Sequence, residues 1–152
     1  VIIALTSYRF HTGFLGATWV PYVIAKEGEM LVPSQQAMFM GEAKLIYGLS
    51  LCFNPVFGLL SDRLAASLDM CGRSLFLVAG IGICGIGIYL AKVASDAVDV
   101  NWYLIASTIW MLGEAMADTT SEAVVPELLP PKQYDLASAV RSLQSFVGCL
   151  AG

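Results

Sequence analysis

Two apolar runs of membrane length are separated by a short charged stretch, which reads GLLSDR over residues 58–63 and, after an eight-residue spacer, GRS over residues 72–74. A membrane-spanning helix takes about 20 mainly apolar residues, and each flanking run reaches that length. A charge beside the hydrocarbon core is costly and is usually kept for a function. The stretch therefore predicts a short charged turn between two spanning helices.

The composition favours lipid as the solvent of this chain. Hydrophobic residues make up 57% of it and charged residues 13%, whereas soluble domains carry roughly 25% charged residues. The net charge is -4 and no basic stripe is present, so nucleic acid is not an expected partner. We expect an integral, multi-pass membrane protein whose immediate partner is the lipid bilayer.

The hydropathy pattern predicts an all-α, polytopic helical bundle. Four spanning helices and part of a fifth are expected at about 1–25, 37–60, 74–91, 102–125 and 136–152. The chain begins without Met or a basic leader and stops inside the fifth apolar run. We therefore expect a fragment of a larger membrane protein.

Charge in the connectors gives a weak orientation. Arg63 and Arg73 lie in one connector, and Lys132 and Arg141 flank another, while the two opposite connectors are rich in acids. Positive residues favour the cytoplasmic side of a membrane. The charged stretch at 58–74 is therefore predicted to face the cytoplasm.

The same stretch resembles the signature of the major facilitator superfamily of secondary transporters. The matching residues are Gly58, Asp62, Arg63, Gly72 and Arg73. The spacer at 64–71 is longer than in the commonest form of the signature and is similar to the sucrose, glycoside and folate–biopterin branches. The segment PELLPP at 126–131 resembles the junction between the fourth and fifth helices of glycoside-type porters.

The resemblance implies the first five helices of a twelve-helix fold, with a C-terminal half as partner. It implies alternating access for a small polar solute, sugar-like or glycoside-like, coupled to a proton or another cation. It also implies that the five signature residues form an inner gate, closed when Asp62 pairs with a helix end in the other half. The alternative interpretation is that Asp62, Arg63 and Arg73 lie in a solvated turn and determine only how the chain is oriented in the membrane.

The fourth predicted helix carries three acids in one stripe. Glu114, Asp118 and Glu122 recur every four residues, about 6 Å apart along a helix. If the helix ends near Val125, Glu114 lies roughly 16 Å inside it, and an ionisable residue at that depth indicates a functional site. The alternative is a helix that ends near Ala117. We predict that Asp118 or Glu122 pairs with Arg73 as a charge relay.

The first predicted helix contains a second polar group. Arg9 cannot lose its proton and needs an acid or a polar cavity. We predict that Tyr8, Arg9 and Glu114 border the site of the solute or the coupling ion, with Glu114 carrying the proton. The alternative for Arg9 is an interfacial position, and His11 is as well explained by packing as by proton transfer.

Other patterns have simpler explanations. The glycines of GIGICG at 80–85 lie inside an apolar run, so they predict helix packing and not a dinucleotide site. Trp19, Trp102 and Tyr103 near segment ends are predicted interfacial anchors.

No nucleophile–base pair, metal-ligand spacing or phosphate loop occurs in the sequence. We therefore expect no enzyme activity, no cofactor and no metal. An intramembrane enzyme that uses Glu114 and Asp118 is the weaker alternative, because the chain has a single His and no metal-binding pair. The alternative to a transporter is a non-transporting polytopic subunit or scaffold of a larger membrane complex.

Overall fold

A computed structural model describes residues 2–68 and 70–152, and this described part is 91% helical, without a strand. The prediction of an all-α chain is confirmed. The helices are α1 (Ile2–Thr6), α2 (Tyr8–Thr18), α3 (Ile24–Leu31), α4 (Gln36–Leu51), α5 (Asn54–Leu68), α6 (Met70–Asp96), α7 (Val100–Leu128) and α8 (Tyr134–Ala151), with a π-helical turn at Trp19–Val23 and a 3₁₀ turn at Pro131–Gln133.

The chain divides into two compact units. The first unit contains residues 2–23 and 121–152, and the second unit is Ile24–Thr120. The first unit thus combines α1, α2, the end of α7 and α8, while the second holds α3 to α6 and most of α7.

In the first unit, α2 and α8 touch along their backbones. A Cβ atom at Gly13 would fall on the backbone of Ser145, and one at Gly148 would fall on the backbone of Phe10. Glycine at both positions permits this close approach, as small residues do where membrane helices pack.

The two helices run in the same direction. Their contacts advance together along both: a Cβ at Gly148 would fall on the Phe10 backbone, the Cys149 thiol donates to the Gly13 carbonyl (3.4 Å), and a Cβ at Gly152 would lie 3.1 Å from Thr18 Oγ1. The packing of α2 with α8 is therefore parallel.

In the second unit, α5 and α6 form an antiparallel pair. A Cβ at Gly72 would lie only 2.6 Å from the carbonyl carbon of Leu64, so the start of α6 rests on the backbone of α5. Further along, the rings of Phe57 and Phe76 lie 6.5 Å apart. The numbering rises on one helix as it falls on the other, which fixes the opposite directions.

The α6 and α7 helices are also antiparallel and joined through glycines. A Cβ at Gly80 would lie 2.9 Å from the Ala117 backbone nitrogen, and one at Gly87 would lie 2.6 Å from Trp110 Cα. The helix α6 is continuous through 80–85. The predicted role of this glycine run in helix packing is confirmed at Gly80.

The helical stretch from α4 to α5 is interrupted by proline. Residues 52–53 form a turn between the two helices, and Pro55 is the second residue of α5. Proline has no N–H to donate to the carbonyl of Leu51, and its ring collides with that carbonyl in a straight helix. Pro55 therefore accounts for the interruption between α4 and α5.

The α3 and α4 helices pack on each other in the second unit. A Cβ at Gly28 would lie 3.1 Å from Phe39, and Gln36 Nε2 donates to the Ala25 carbonyl at 2.8 Å. Phe39 in turn contacts the ring of Tyr103, with ring centres 5.6 Å apart. Tyr103 is 3% exposed, so its predicted role as an interfacial anchor is wrong.

The helices extend beyond the predicted boundaries. Because α5 continues to Leu68, the prediction of a turn throughout residues 61–73 is wrong, and most of the spacer is a further part of α5. Because α7 continues to Leu128, the alternative in which this helix ends near Ala117 is also wrong.

Within the described residues, two helical stretches are long and apolar enough to cross a membrane. They are Gln36–Leu68 and Gly72–Asp96, with mean hydropathies of 1.4 and 2.2. Only 11% and 22% of their most apolar windows are buried. Most of this apolar surface therefore points outwards, unlike that of a core helix in a soluble domain.

Candidate functional site

Arg73, at the start of α6, is a buried cation that contacts the second half of α5. Its Nη2 donates to Asp62 Oδ1 at 2.8 Å, and its Nη1 donates to Ser61 Oγ at 3.4 Å. The Arg73 side chain is 9% exposed, whereas that of Asp62 is 62% exposed. Asp62 therefore pairs with Arg73 of the same motif. The contact with a helix end in a second bundle, which the family resemblance implies, stays a prediction.

The glycines of this motif have different surroundings. Gly72 lies where a Cβ would overlap the backbone of Leu64, so only glycine fits without a shift. A Cβ at Gly58 would lie 3.7 Å from Thr119 Cγ2, which is an ordinary contact. Arg63 is exposed. The packing thus explains Gly72 but does not require glycine at Gly58.

The first unit holds a cluster of three charges from three helices. Glu122 on α7 accepts from Arg9 of α2 through Oε1 and contacts Arg141 of α8 through Oε2. The side chains are 28%, 30% and 29% exposed for Arg9, Glu122 and Arg141 respectively. One carboxylate therefore bridges two guanidinium groups, each on its own oxygen.

Proline and tyrosine shape the chain next to this cluster. Pro126 lies inside α7, and because it has no N–H, the carbonyl of Glu122 lacks the usual helical hydrogen bond from four residues on. The Tyr134 hydroxyl donates to the Pro126 carbonyl at 3.0 Å. The start of α8 is thus attached to the end of α7 close to the cluster.

A groove of about 570 Å³ opens beside the cluster. Its lining comes mainly from one face of α8, and the residues are Arg9, Ser138, Arg141, Ser142, Ser145, Phe146 and Cys149. A neighbouring pocket of about 240 Å³ is lined by Glu122 and Arg141 together with Val125, Pro126, Tyr134, Ala137 and Ser138. Arg141 borders both spaces.

Arg141 and the serines of α8 were not predicted as site residues. Ser138, Arg141, Ser142 and Ser145 follow the i, i+3, i+4, i+7 spacing that puts residues on one helix face. This polar stripe in an otherwise apolar run was the signal in the sequence. Arg141 was instead interpreted as a charge that sets topology.

The predicted group in the first helix lies at the start of α2. Arg9 is the second residue of that helix, directly after the break at Ser7. The rings of Tyr8 and His11 are 5.4 Å apart at 50°. Tyr8, Arg9 and His11 therefore share one turn of helix next to Glu122.

Glu114 occupies the midpoint of α7. Its Oε2 lies 3.8 Å from the Cys84 thiol on α6, and it is half-buried. Arg9 belongs to the first unit and Glu114 to the second. A common site for these two residues stays a prediction.

Of the two predicted partners of Arg73, Glu122 and Asp118, the structure excludes Glu122. Glu122 pairs with Arg9 and Arg141, so it is not the partner that was expected for Arg73. Asp118 is half-buried, and its pairing with Arg73 stays a prediction.

No protein-family model, curated protein or solved structure matches this chain.

Proposed function

We propose that the chain is the N-terminal bundle of a secondary active transporter of the major facilitator type, an integral multi-pass membrane protein. It would move a small polar solute by alternating access, coupled to a proton or another cation. The observation that carries the proposal is the Arg9–Glu122–Arg141 cluster beside a groove. Charges among membrane helices are rare and commonly line the path of a solute or ion.

The directions of the helices support a bundle of several spans. Spans that follow one another in sequence must cross in opposite directions, as α5, α6 and α7 do where they contact each other in the second unit. A first and a fifth span must run in the same direction, and α2 and α8 are parallel. The outward apolar surface of Gly72–Asp96 is suited to lipid.

The remaining residues take roles in keeping with the resemblance. The motif of Gly58, Asp62, Arg63, Gly72 and Arg73 would form the inner gate. The Asp62–Arg73 ion pair would hold the ends of α5 and α6 together there.

The coupling step is assigned to acids of α7. Glu114, at the midpoint of that helix, is a candidate carrier of the coupling proton, and Asp118 is a candidate relay. Tyr8 and His11, which share a helical turn with Arg9, are further candidates for solute or ion contact. Alternating access needs two bundles, so a second bundle is the required partner. The sugar-like or glycoside-like nature of the solute comes from the resemblance.

The test is solute-driven proton movement in proteoliposomes. The full transporter, comprising this chain and its second bundle, is reconstituted with a pH-sensitive dye inside, and hexoses, sucrose, lactate and phosphate are added one at a time. We expect one solute to move protons, with Glu114→Gln removing the coupling. Glu29→Gln is the matched control, because Glu29 is exposed and pairs only with the neighbouring Lys26 among the described residues.

The opposite result would favour the alternative function. If folded protein moves no solute of the panel and Glu114→Gln changes nothing, the chain is better explained as a non-transporting subunit or scaffold. A stable complex with another membrane protein would then be the property to measure.

A further inference from the structure

A pocket of about 170 Å³ lies in the second unit, where α4 and α7 begin. The ring of Phe39 on α4 contacts that of Tyr103 on α7, with ring centres 5.6 Å apart, so the two helices pack together at this end. Three polar side chains line the pocket, Gln35, Glu42 and Asn101, and the rest of its lining is apolar. The pocket shares no residue with the groove of the first unit.

The carboxylate of Glu42 has no ion pair or hydrogen bond among the described residues, and its side chain is half-buried. It lies inside the apolar stretch Gln36–Leu68, about 9 Å along the helix axis from Gln36. An ionisable residue within a stretch of this kind is costly and indicates a functional site. Because no described cation balances its charge, a cationic ligand is expected beside it.

The side chains of Gln35 and Asn101 add two amide groups that bond to nothing else in the described part of the chain. Gln35 occupies the N-cap position of α4, but its side chain makes no capping hydrogen bond. Asn101 follows Asp99, whose carboxylate already accepts from the Trp102 N–H at 3.0 Å at the start of α7. Neither amide is therefore used by the helix end to which it belongs.

The size of the pocket limits the ligand. At roughly 30 Å³ for each water molecule, about 170 Å³ holds about five or six waters, or a ligand with about that many non-hydrogen atoms. A primary ammonium group has three N–H donors, no acceptor and a positive charge at neutral pH. These three donors match one carboxylate and two amide oxygens.

The apolar part of the lining suits the rest of such a molecule. Met38, Phe39 and Leu104 line the same pocket, and Phe39 is 2% exposed. A bare metal ion would use the oxygens and leave this apolar surface without a partner. A quaternary ammonium would meet the charge of Glu42 but has no N–H for the amides.

We propose that this pocket binds a primary ammonium group that carries a short apolar chain, with Glu42 as the counter-charge and with Gln35 and Asn101 as further acceptors. The inference goes beyond the proposed function, because it concerns a second site and does not depend on transport. The antiparallel packing of α6 and α7 puts the start of α7 at the opposite end of this pair from Arg73. The site is therefore external if the stretch at 58–74 faces the cytoplasm as predicted.

The experiment is a titration of the purified full-length protein in maltoside detergent, followed by saturation-transfer NMR of the ligand. The probes are 1-butylammonium, tetramethylammonium and 1-butanol, which have the same number of non-hydrogen atoms. We expect 1-butylammonium to bind, tetramethylammonium to bind at least threefold more weakly, and 1-butanol to bind at least tenfold more weakly, since hydrogen bonds to charged groups are the stronger ones.

Four variants distinguish a binding role from a structural role. Glu42→Gln should weaken 1-butylammonium binding tenfold or more. Gln35→Leu should weaken it about threefold and leave tetramethylammonium unchanged, because only the first probe has N–H donors. Asn101→Asp should tighten it at least threefold, and an acid is well tolerated in the first turn of a helix.

The fourth variant, Glu29→Gln, is the control. It removes an exposed acid of the same unit that does not line the pocket, and should change nothing. Helical content of every variant is checked by circular dichroism, so that a loss of binding is read only from folded protein.

Three outcomes of these titrations would overturn the proposal. The first is that 1-butanol or tetramethylammonium binds as tightly as 1-butylammonium. The second is that folded Glu42→Gln binds 1-butylammonium as the parent does. The third is that folded Asn101→Asp binds it more weakly, because an added carboxylate at an ammonium site must strengthen binding.

Metal cations bind to the same kinds of oxygen, so the titration is repeated with calcium chloride at about 1 mM, the weak end of protein calcium sites. Unchanged binding of 1-butylammonium supports the ammonium site, whereas its displacement would identify a metal site and overturn the proposal. Binding is measured without transport. A lack of solute movement in proteoliposomes would refute only the proposed function, and a lack of 1-butylammonium binding would refute only this inference.

Discussion

The contact between Gly87 and Trp110 gives the sharpest test of the packing of α6 on α7. In the variant Gly87→Ala, the new methyl group would lie 2.6 Å from Trp110 Cα and 2.8 Å from Trp110 Cβ. These distances are well inside the 3.5–4.0 Å that is optimal between carbon atoms. Because the opposing atoms are mostly backbone, the helices must move apart to accept it.

The size of the effect follows from two opposing contributions. Overpacking a tight contact by one methyl group costs about 1–3 kcal/mol, and alanine in place of glycine stabilises a helix by about 1 kcal/mol. The matched control is Gly85→Ala on the same helix, where no described atom outside its immediate chain surroundings lies within 4 Å of the added Cβ. It should stabilise by about 0.5–1 kcal/mol.

The two variants should therefore move in opposite directions. Denaturant titration of the protein in detergent, followed by circular dichroism, gives the free energy of unfolding for each. We expect Gly87→Ala to be less stable than Gly85→Ala by about 1–3 kcal/mol, because the helix-propensity contribution cancels between them. Equal stability of the two variants would refute the backbone contact at Gly87, and with it the arrangement of α6 on α7.

Two further predictions use matched pairs of the same kind. Gly13→Ala should destabilise the first unit by about 1–3 kcal/mol, because the added Cβ would overlap the Ser145 backbone. Gly16→Ala, on the open side of α2, should not destabilise it. A denaturant titration of both variants measures the difference. Arg73→Gln should lower the free energy of unfolding by about 1.5 kcal/mol, because a charged hydrogen bond to Asp62 is lost. Arg63→Gln, at an exposed position, should change it by no more than about 0.5 kcal/mol. Equal losses in the two variants would contradict the buried role of Arg73.

The helical class could be predicted from composition, but the faces of the helices could not. The helix α6 is apolar on all sides, so its hydropathy pattern does not indicate which face packs on a neighbouring helix. Gly80 and Gly87 contact α7 while Gly82 and Gly85 face open space within the described structure, although all four have similar neighbours in sequence. Which glycine packs is decided by the tertiary contact alone.

Aromatic residues near helix ends were ambiguous for a related reason. Trp19 and Tyr103 are 4% and 3% exposed, whereas Trp102 is 56% exposed. An amphipathic ring suits both a membrane interface and a packed helix end. Sequence position could not separate these environments.

The ion cluster was beyond local sequence patterns. The Arg9–Glu122 contact joins residues 113 positions apart, and helical periodicity relates only residues within a few turns of each other. The acids of α7 could be recognised as one stripe, but their cations could not be assigned. Arg141 lies only seven residues into α8, where a positive charge is equally expected from topology.

The two described arginine clusters differ in a way that separates their tasks. The Arg73 side chain is 9% exposed and pairs with Asp62 on the adjacent helix, and breaking an ion pair that involves a buried charge is costly. Arg141 is 29% exposed, and its ion pair with Glu122 spans two helices and borders open volume. Pairs of this exposure are worth little and exchange partners cheaply. A site that must release its ligand on every cycle needs the second kind of contact, whereas a lasting link between helix ends needs the first. Under the proposed transport function, the Glu122 cluster would therefore suit ligand exchange and Arg73 would suit helix attachment, although the Arg73 motif was the more conspicuous of the two in the sequence.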